Sequence, residues 1–252
     1  MADCDLSGYA QAYTRKVFGA YLQSKGFVSY KNQGFSWYRV VNNEVIQTLY
    51  FHTRQNYIPV CMEIGYGIHP LYVSPVYPAG VFYRDPPVNF EIFSTDFIMK
   101  VQPNVTNMVY SPEIQVICPN DEFKGLDVIM AIVEKMDELH SGKQVYQMHK
   151  ASYEGKGYRA ASTDFFDEVI YNNDSTLFEP CLEMIEERLL RWGKDPKPST
   201  RTTLMLNQLQ LQKKTIETGN RDELMEVLAK RKEKNVKDLR RKVGIAVTPI
   251  NR

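Results

Sequence analysis

From Tyr57 to Ile68 the chain alternates without a break. Ile58, Val60, Met62, Ile64, Tyr66 and Ile68 fall on one side, and Pro59, Cys61, Glu63, Gly65 and Gly67 on the other. Successive side chains of a strand point to opposite faces, so this stretch commits the chain to a strand with one apolar face. The residues before it supply neighbours. Phe35–Val41 and Glu44–Thr53 flank Asn42-Asn43, and asparagine tolerates the positive φ that a tight hairpin turn requires. A two-residue turn sets Val41 opposite Glu44. Phe35, Trp37, Arg39, Ile46, Tyr50 and His52 then share one face, and Tyr38, Val40, Val45, Leu49 and Phe51 share the other. The second set is the more aliphatic and is expected to face the core. With Thr53 opposite Ile58, the aliphatic faces of the hairpin and the third strand coincide. The remaining face becomes Trp37, Arg39, Tyr50, His52, Glu63 and two bare glycines, Gly65 and Gly67. An aromatic sheet on both sides has two explanations. Either the second face is covered by the C-terminal helices, or it is open to a partner.

Around this sheet the sequence predicts helices. Leu6–Ser24 repeats Tyr9, Tyr13, Val17 and Tyr21 at helical spacing, and Gly26 is placed to close it in the left-handed conformation. The proline- and tyrosine-rich segment His69–Pro87 reads as a long loop, followed by strands near Val88–Phe93, Phe97–Val101 and Glu113–Cys118. Leu126, Ile129, Met130, Val133, Met136 and His140 mark the stripe of an amphipathic helix that ends before Gly142. Beyond Val145 only helices are expected: Phe165–Tyr171, Leu177–Trp192, Thr202–Glu217 and Asp222–Lys242, the last two joined at Gly219-Asn220. The reading divides the chain into an α+β sheet domain, residues 1–142, and an all-helical C-terminal region, residues 143–252, docked on it. The fold class is α+β: a twisted antiparallel sheet with helices packed on one face.

Charge narrows the functional classes. Lys plus Arg number 31 against 30 Asp plus Glu, so no global field draws in nucleic acid or an anionic membrane. The charges are nevertheless segregated. Asp164–Glu187 carries acidic residues with no Lys or Arg, and Lys230–Lys242 is strongly basic. Pairing of acidic and basic helices or solvated helix faces accounts for this pattern. Nucleic-acid binding through Lys230, Arg231, Arg240 and Arg241 is the weakest reading, because no aromatic residues interleave the basic run. No stretch reaches the ~18 apolar residues of a membrane span, so no membrane partner is expected. The N-terminus lacks a basic head with an apolar core, and a cytoplasmic protein is the expectation.

Motifs for chemistry are few. The sequence has no P-loop, no G-x-G-x-x-G, no H-E-x-x-H and no G-x-S-x-G. Cys4, Cys61, Cys118 and Cys181 form no C-x-x-C pair, so no metal site and no cofactor are expected. His140 and His149 fall on helices, where packing or capping accounts for them. His52, Glu63 and His69 form a candidate polar cluster at one end of the sheet, where a carboxylate would orient an imidazole for acid–base work.

The opening of the chain has a recognisable order of parts: "YLQSKGFVSYKNQGFSWYRV", then "NNEVIQTLYFHT", then "YIPVCMEIGYGI", and near the end "TGNRDELMEVLAKRKEKN". On Gly26, Phe27, Trp37, Tyr38, Arg39, Val45, Ile46, Gln47, Ile64 and Gly65 it resembles the bacterial domain-of-unknown-function family 4304. The resemblance covers roughly Tyr9–Ile68 and weakens afterwards. It implies an α+β cytoplasmic bacterial protein and carries over no reaction and no catalytic residue.

The sequence therefore points first to a non-enzymatic protein-binding protein, of an accessory or immunity type. Its expected binding residues are Trp37, Arg39, Tyr50, Tyr72 and Tyr77, since Trp, Tyr and Arg dominate interface hot spots. The alternative is a small-molecule-binding protein or hydrolase working at His52, Glu63 and His69. The sequence leaves the oligomeric state open.

Overall fold

The computed structural model describes residues 6–29, 36–54, 61–72, 83–91, 115–116, 124–156, 161–195 and 197–244. Helix α1, Leu6–Ser24, closes as the sequence predicts: Gly26 adopts φ 79°. The Gly26 N–H donates to the Gln23 carbonyl at 3.0 Å and the Phe27 N–H to the Leu22 carbonyl at 2.9 Å. That double bond pattern is a Schellman cap, and it is completed by an apolar contact across the turn. Leu22 and Phe27 both sit in the core.

Six strands follow in sheet order β1 to β6: β1 Val28–Ser29, β2 Ser36–Val41, β3 Val45–Arg54, β4 Cys61–Pro70, β5 Tyr83–Glu91 and β6 Gln115–Val116. Neighbours are antiparallel up to β5, and β6 runs parallel to β5. The helices are α2 Lys124–Asp137, α3 Gly142–Lys156, α4 Thr163–Tyr171, α5 Phe178–Trp192, α6 Thr200–Thr218 and α7 Asp222–Asp238. A 3-10 turn, Ser175–Leu177, precedes α5, and a π-helical turn, Leu239–Val243, follows α7. The α+β class stands.

The hairpin register differs from expectation by one residue. Asn42 and Asn43 both take positive φ, 51° and 53°, as a tight turn demands. The Glu44 N–H donates to the Val41 carbonyl at 3.0 Å and closes the turn, but in the ladder Val41 stands opposite Val45. Glu44 is held out of the ladder by two other contacts. Its carbonyl accepts from the Leu71 N–H at 2.7 Å, and its Oε2 accepts from the Gly142 N–H at 3.0 Å. A carboxylate at a helix N-terminus satisfies a donor that the helix itself leaves unpaired. The same end of α3 carries a capping box: Gln144 N–H donates to Ser141 Oγ at 3.3 Å and Ser141 N–H to Gln144 Oε1 at 3.1 Å.

A one-residue slip turns every side chain of β2 over. Trp37 and Arg39 therefore share a face with Val45, Gln47 and Leu49, while Tyr38 and Val40 join Ile46 on the other. The register of β4 slides by four residues, with Thr53 opposite Met62, and keeps its parity. Its aliphatic set thus still falls in register with Leu49 and Phe51, as expected. The expected loop over His69–Pro87 is shorter at both ends, because β4 runs through Pro70 and β5 starts at Tyr83. Between the pairs Tyr66↔Tyr83 and Ile64↔Val88 the ladder is irregular. Pro86 and Pro87 lie in that interval and have no N–H to donate, which explains the break. The strand expected at Phe97–Val101 lies outside the described residues.

Both faces of the sheet are core. On one, Trp37, Val45, Leu49, Phe51 and Ile68 pack with Phe18 and Leu22 of α1, Ile129, Val133 and Met136 of α2, and Val145 of α3. On the other, Tyr38 and Ile46 pack with Leu71, Tyr72, Ile170 of α4, Leu224 and Leu228 of α7, and Leu239. Helices thus lie on both faces, the C-terminal ones taking the second. A third cluster, built on Tyr146, Phe165, Phe166, Val169, Cys181, Ile185 and Leu209, lies within the helical region. Val145 and Tyr146 are consecutive in α3 and enter different clusters.

Trp37 is 1% exposed and its indole lies 3.6 Å from where a Cβ on Gly19 would stand. Trp37→Ala is expected to lower stability by about 3–5 kcal/mol in urea unfolding, the cost of emptying a large aromatic site. A variant with the parent's midpoint would contradict this packing.

Candidate functional site

The residues proposed from sequence scatter. Trp37 is core. Arg39, 8% exposed, donates from Nε to Gln47 Oε1 at 2.6 Å, from Nη1 to the Lys25 carbonyl at 3.1 Å and from Nη2 to Asp137 Oδ1 at 2.5 Å. Its guanidinium lies 4.5 Å over the Phe27 ring. Gln47 in turn donates to the carbonyls of Met136 and Leu139, at 2.6 and 3.0 Å. This network satisfies the carbonyls at the end of α2 and places a cation at the negative end of its dipole. Tyr72 is buried and stacks on Tyr171 with 4.0 Å between ring centroids. So Trp37, Arg39 and Tyr72 hold the fold together and offer no open face. The side chains of Tyr50, His52 and Glu63, and all of Tyr77, lie outside the described residues.

The expected polar cluster does not assemble. His52 pairs with Glu63 across β3 and β4, but His69 pairs with Ile46, six residues further along. At ~3.3 Å per residue that is about 20 Å away. His69 is buried and meets a different partner, His149 of α3, with 6.0 Å between ring centroids. His140, expected on a helix, lies in the link between α2 and α3, with Nδ1 3.3 Å from the Asp137 carbonyl.

The stretch D-F-F-D-E, Asp164–Glu168, reads in the sequence as a helix-surface pattern, yet two of its carboxylates, Asp167 and Glu168 of α4, are buried. Helix α4 starts at Ser162, whose side chain accepts from the Phe165 N–H. It carries Asp167 and Glu168 between Phe165-Phe166 and Val169-Ile170, all six of them buried. Consecutive helical residues point about 100° apart, so the two acids serve different neighbours. Glu168 meets His149, whose Nδ1 lies 2.9 and 2.8 Å from its two oxygens. Asp167 Oδ2 accepts from Arg231 Nη1 of α7 at 2.6 Å and from Gln208 Nε2 of α6 at 2.7 Å, and Oδ1 accepts from Gln212 Nε2 at 2.6 Å. The readable signal was the apolar run F-F-D-E-V-I, which leaves a carboxylate no wet side. Burial raises the Asp167 pKa to about 6, against the opposing pull of Arg231 and Gln212. Burial also raises that of Glu168, opposed by His149. Burial pushes the Cys181 thiol up to about 12, which keeps it protonated and a poor nucleophile. These groups pin α3, α4, α6 and α7 to one another. Among the described residues no group of three or more His, Cys, Asp or Glu is placed to hold a metal ion. No described helix is long and apolar enough to cross a membrane.

The helical region also carries an accessible concavity. Helices α5 and α6 form a shallow groove of about 560 Å³ lined by Glu183, Glu186, Glu187, Leu189, Leu190 and Lys213. Lys213 donates to Glu186 Oε1 at 2.6 Å across it. Leu190 is 66% exposed, and Leu204 of α6 is 65% exposed. The groove thus combines apolar surface left in water with a row of carboxylates.

No family model, no curated protein and no solved structure matches this chain. The likeness to family 4304 rests on the residues quoted above.

The buried acids set a pH dependence. Asp167 ordinarily titrates near 3.8 and in the fold near 6, so the folded state holds its proton more tightly. Stability contributed by that proton is present below about 4 and is lost as pH rises to about 6. Relative to Asp167→Asn, the parent's urea stability is expected to fall across that interval, and a parallel pair of pH profiles would contradict it. At pH 7.5 Arg231→Met leaves the carboxylate without its cation, with an expected loss of about 3–5 kcal/mol in the same measurement.

Proposed function

We propose that the protein acts by binding a protein partner, and that the α5–α6 groove is where the partner sits. The observation that carries this reading is the pairing of a two-thirds-exposed Leu190 with Glu183, Glu186 and Glu187 in one concavity. An exposed leucine in a groove contributes affinity when a side chain covers it, and carboxylates around it select a basic segment and speed its approach. The chemistry fits a short basic amphipathic helix. Its apolar residues would meet Leu189 and Leu190, and its lysines or arginines would meet the glutamates. The earlier assignment of binding to the sheet face gives way to this one, because Trp37, Arg39 and Tyr72 are committed to packing. An accessory or immunity-type role is compatible with an acidic docking groove, and the resemblance to family 4304 implies only a bacterial cytoplasmic α+β protein.

The test uses a fluorescein-labelled helical peptide with leucines at i and i+4 and lysines on the flanks, beside a scrambled peptide of equal charge. Anisotropy is expected to show saturable binding of the first. Glu183→Lys with Glu187→Lys, both exposed positions, should weaken it at least about tenfold, a loss of about 1.4 kcal/mol, with the melting temperature unchanged. Equal affinity for parent and variant, or equal affinity for both peptides, would overturn the reading.

A further inference from the structure

Two exposed helix faces of this chain carry opposite charge at the same spacing. On α5 the outward positions Glu179, Glu183, Glu186 and Leu190 follow steps of four, three and four residues. On α7 and its terminal turn the outward positions Lys230, Lys234, Lys237 and Arg241 follow the same steps. Such steps keep side chains on one face of a helix, and each row spans about 16 Å. The opposite face of α7 is the buried one, with Leu224, Leu228 and Asn235 inward. The helix is therefore fixed with this row of cations outward and Arg231 turned in to Asp167.

Within one molecule the rows face solvent. One ion pair that joins the acidic segment to the basic helix is Arg231 with Asp167, at the buried edge of α7. Local pairs on or beside the rows, Lys230 with Glu226, Arg241 with Asp238, Arg191 with Glu187 and Lys213 with Glu186, lie exposed or partly exposed to solvent and are weakly held. They can be exchanged for contacts across an interface at little cost. The exposed acids of α7 are Asp222, Glu223, Glu226 and Glu233; the first three precede the row and Glu233 alone lies within it, so the row stays net basic.

From this complementarity we infer that the occupant of the α5–α6 groove is the α7 face of a second copy of this chain. The inference rests on the groove being a docking site, as proposed above. Lysine and arginine stems lay apolar methylenes over an exposed leucine while their charged ends reach carboxylates, so the basic row also suits Leu190. Because the two surfaces are different, the contact is head-to-tail. It leaves one groove and one basic row open in every dimer and extends to rings or short chains. The contact area is small and the attraction largely ionic, so association is weak and salt-sensitive.

Sedimentation velocity on the full chain tests it. At low ionic strength the average sedimentation coefficient is expected to rise with protein concentration, and to return to the monomer value at about 0.5 M NaCl, where charges are screened within a few ångströms. Lys234→Glu with Lys237→Glu should remain monomeric, as should Glu183→Lys with Glu187→Lys. An equimolar mixture of these two variants should associate again, because each supplies the charge the other has lost. A parent that stays monomeric at every concentration, or variants that associate as the parent does, would overturn the inference. Groove binding of the labelled basic peptide by a strictly monomeric parent would leave the docking reading standing and remove only the second copy as its occupant.

Discussion

Glu44 is the residue on which the arrangement of the sheet turns. Its carbonyl is bonded to Leu71 and its carboxylate to the start of α3, and these contacts draw it out of the β2–β3 ladder. The ladder then closes one residue later than a two-residue hairpin would. Everything on β2 follows. Trp37 goes to the α1–α2 side, Arg39 reaches the end of α2, and Tyr38 goes under the C-terminal helices. A hydrogen bond at the tip of a hairpin thus decides which large aromatic residue fills which core, because strand periodicity allows no intermediate placement.

That dependence also explains what could be read from the sequence. Helices α1, α2 and α4 to α7 were legible because their stripes, caps and terminating glycines are local: Gly26 and Gly219 take the left-handed conformation their positions suggest. The alternation of β4 was legible too, and its parity survived a slide of four residues. The β2–β3 register was not, since it is set by Leu71 and Gly142, residues far along the chain. The polar cluster failed for a related reason. His52 and Glu63 did come to opposite each other, but His69 lies at the other end of the same strand and turns to His149. Alternation gives the side of a sheet a residue occupies; distance along the strand decides what it meets.

The helical region is organised by charge as much as by apolar packing. Asp167 and Glu168 are taken out of water together, each with its own partners, and the directions they impose fix α3, α6 and α7 around α4. Buried ion pairs contribute little net stability when compared with apolar replacements, yet they penalise any arrangement that separates the partners. The segregation of acidic and basic residues along the sequence is therefore resolved in two ways. Asp167 and Arg231 pair inside, and other charges of the two segments are displayed on outward faces of α5 and α7.

Helix α3 bears on how the molecule comes apart. Val145 belongs to the sheet core and Tyr146, the next residue, to the helical core. Adjacent side chains on one rigid rod cannot be loosened separately, so damage to either core is transmitted to the other through α3. The protein should then melt as a single cooperative body, and a chain cut between the sheet and the helices would leave two fragments, each missing a wall.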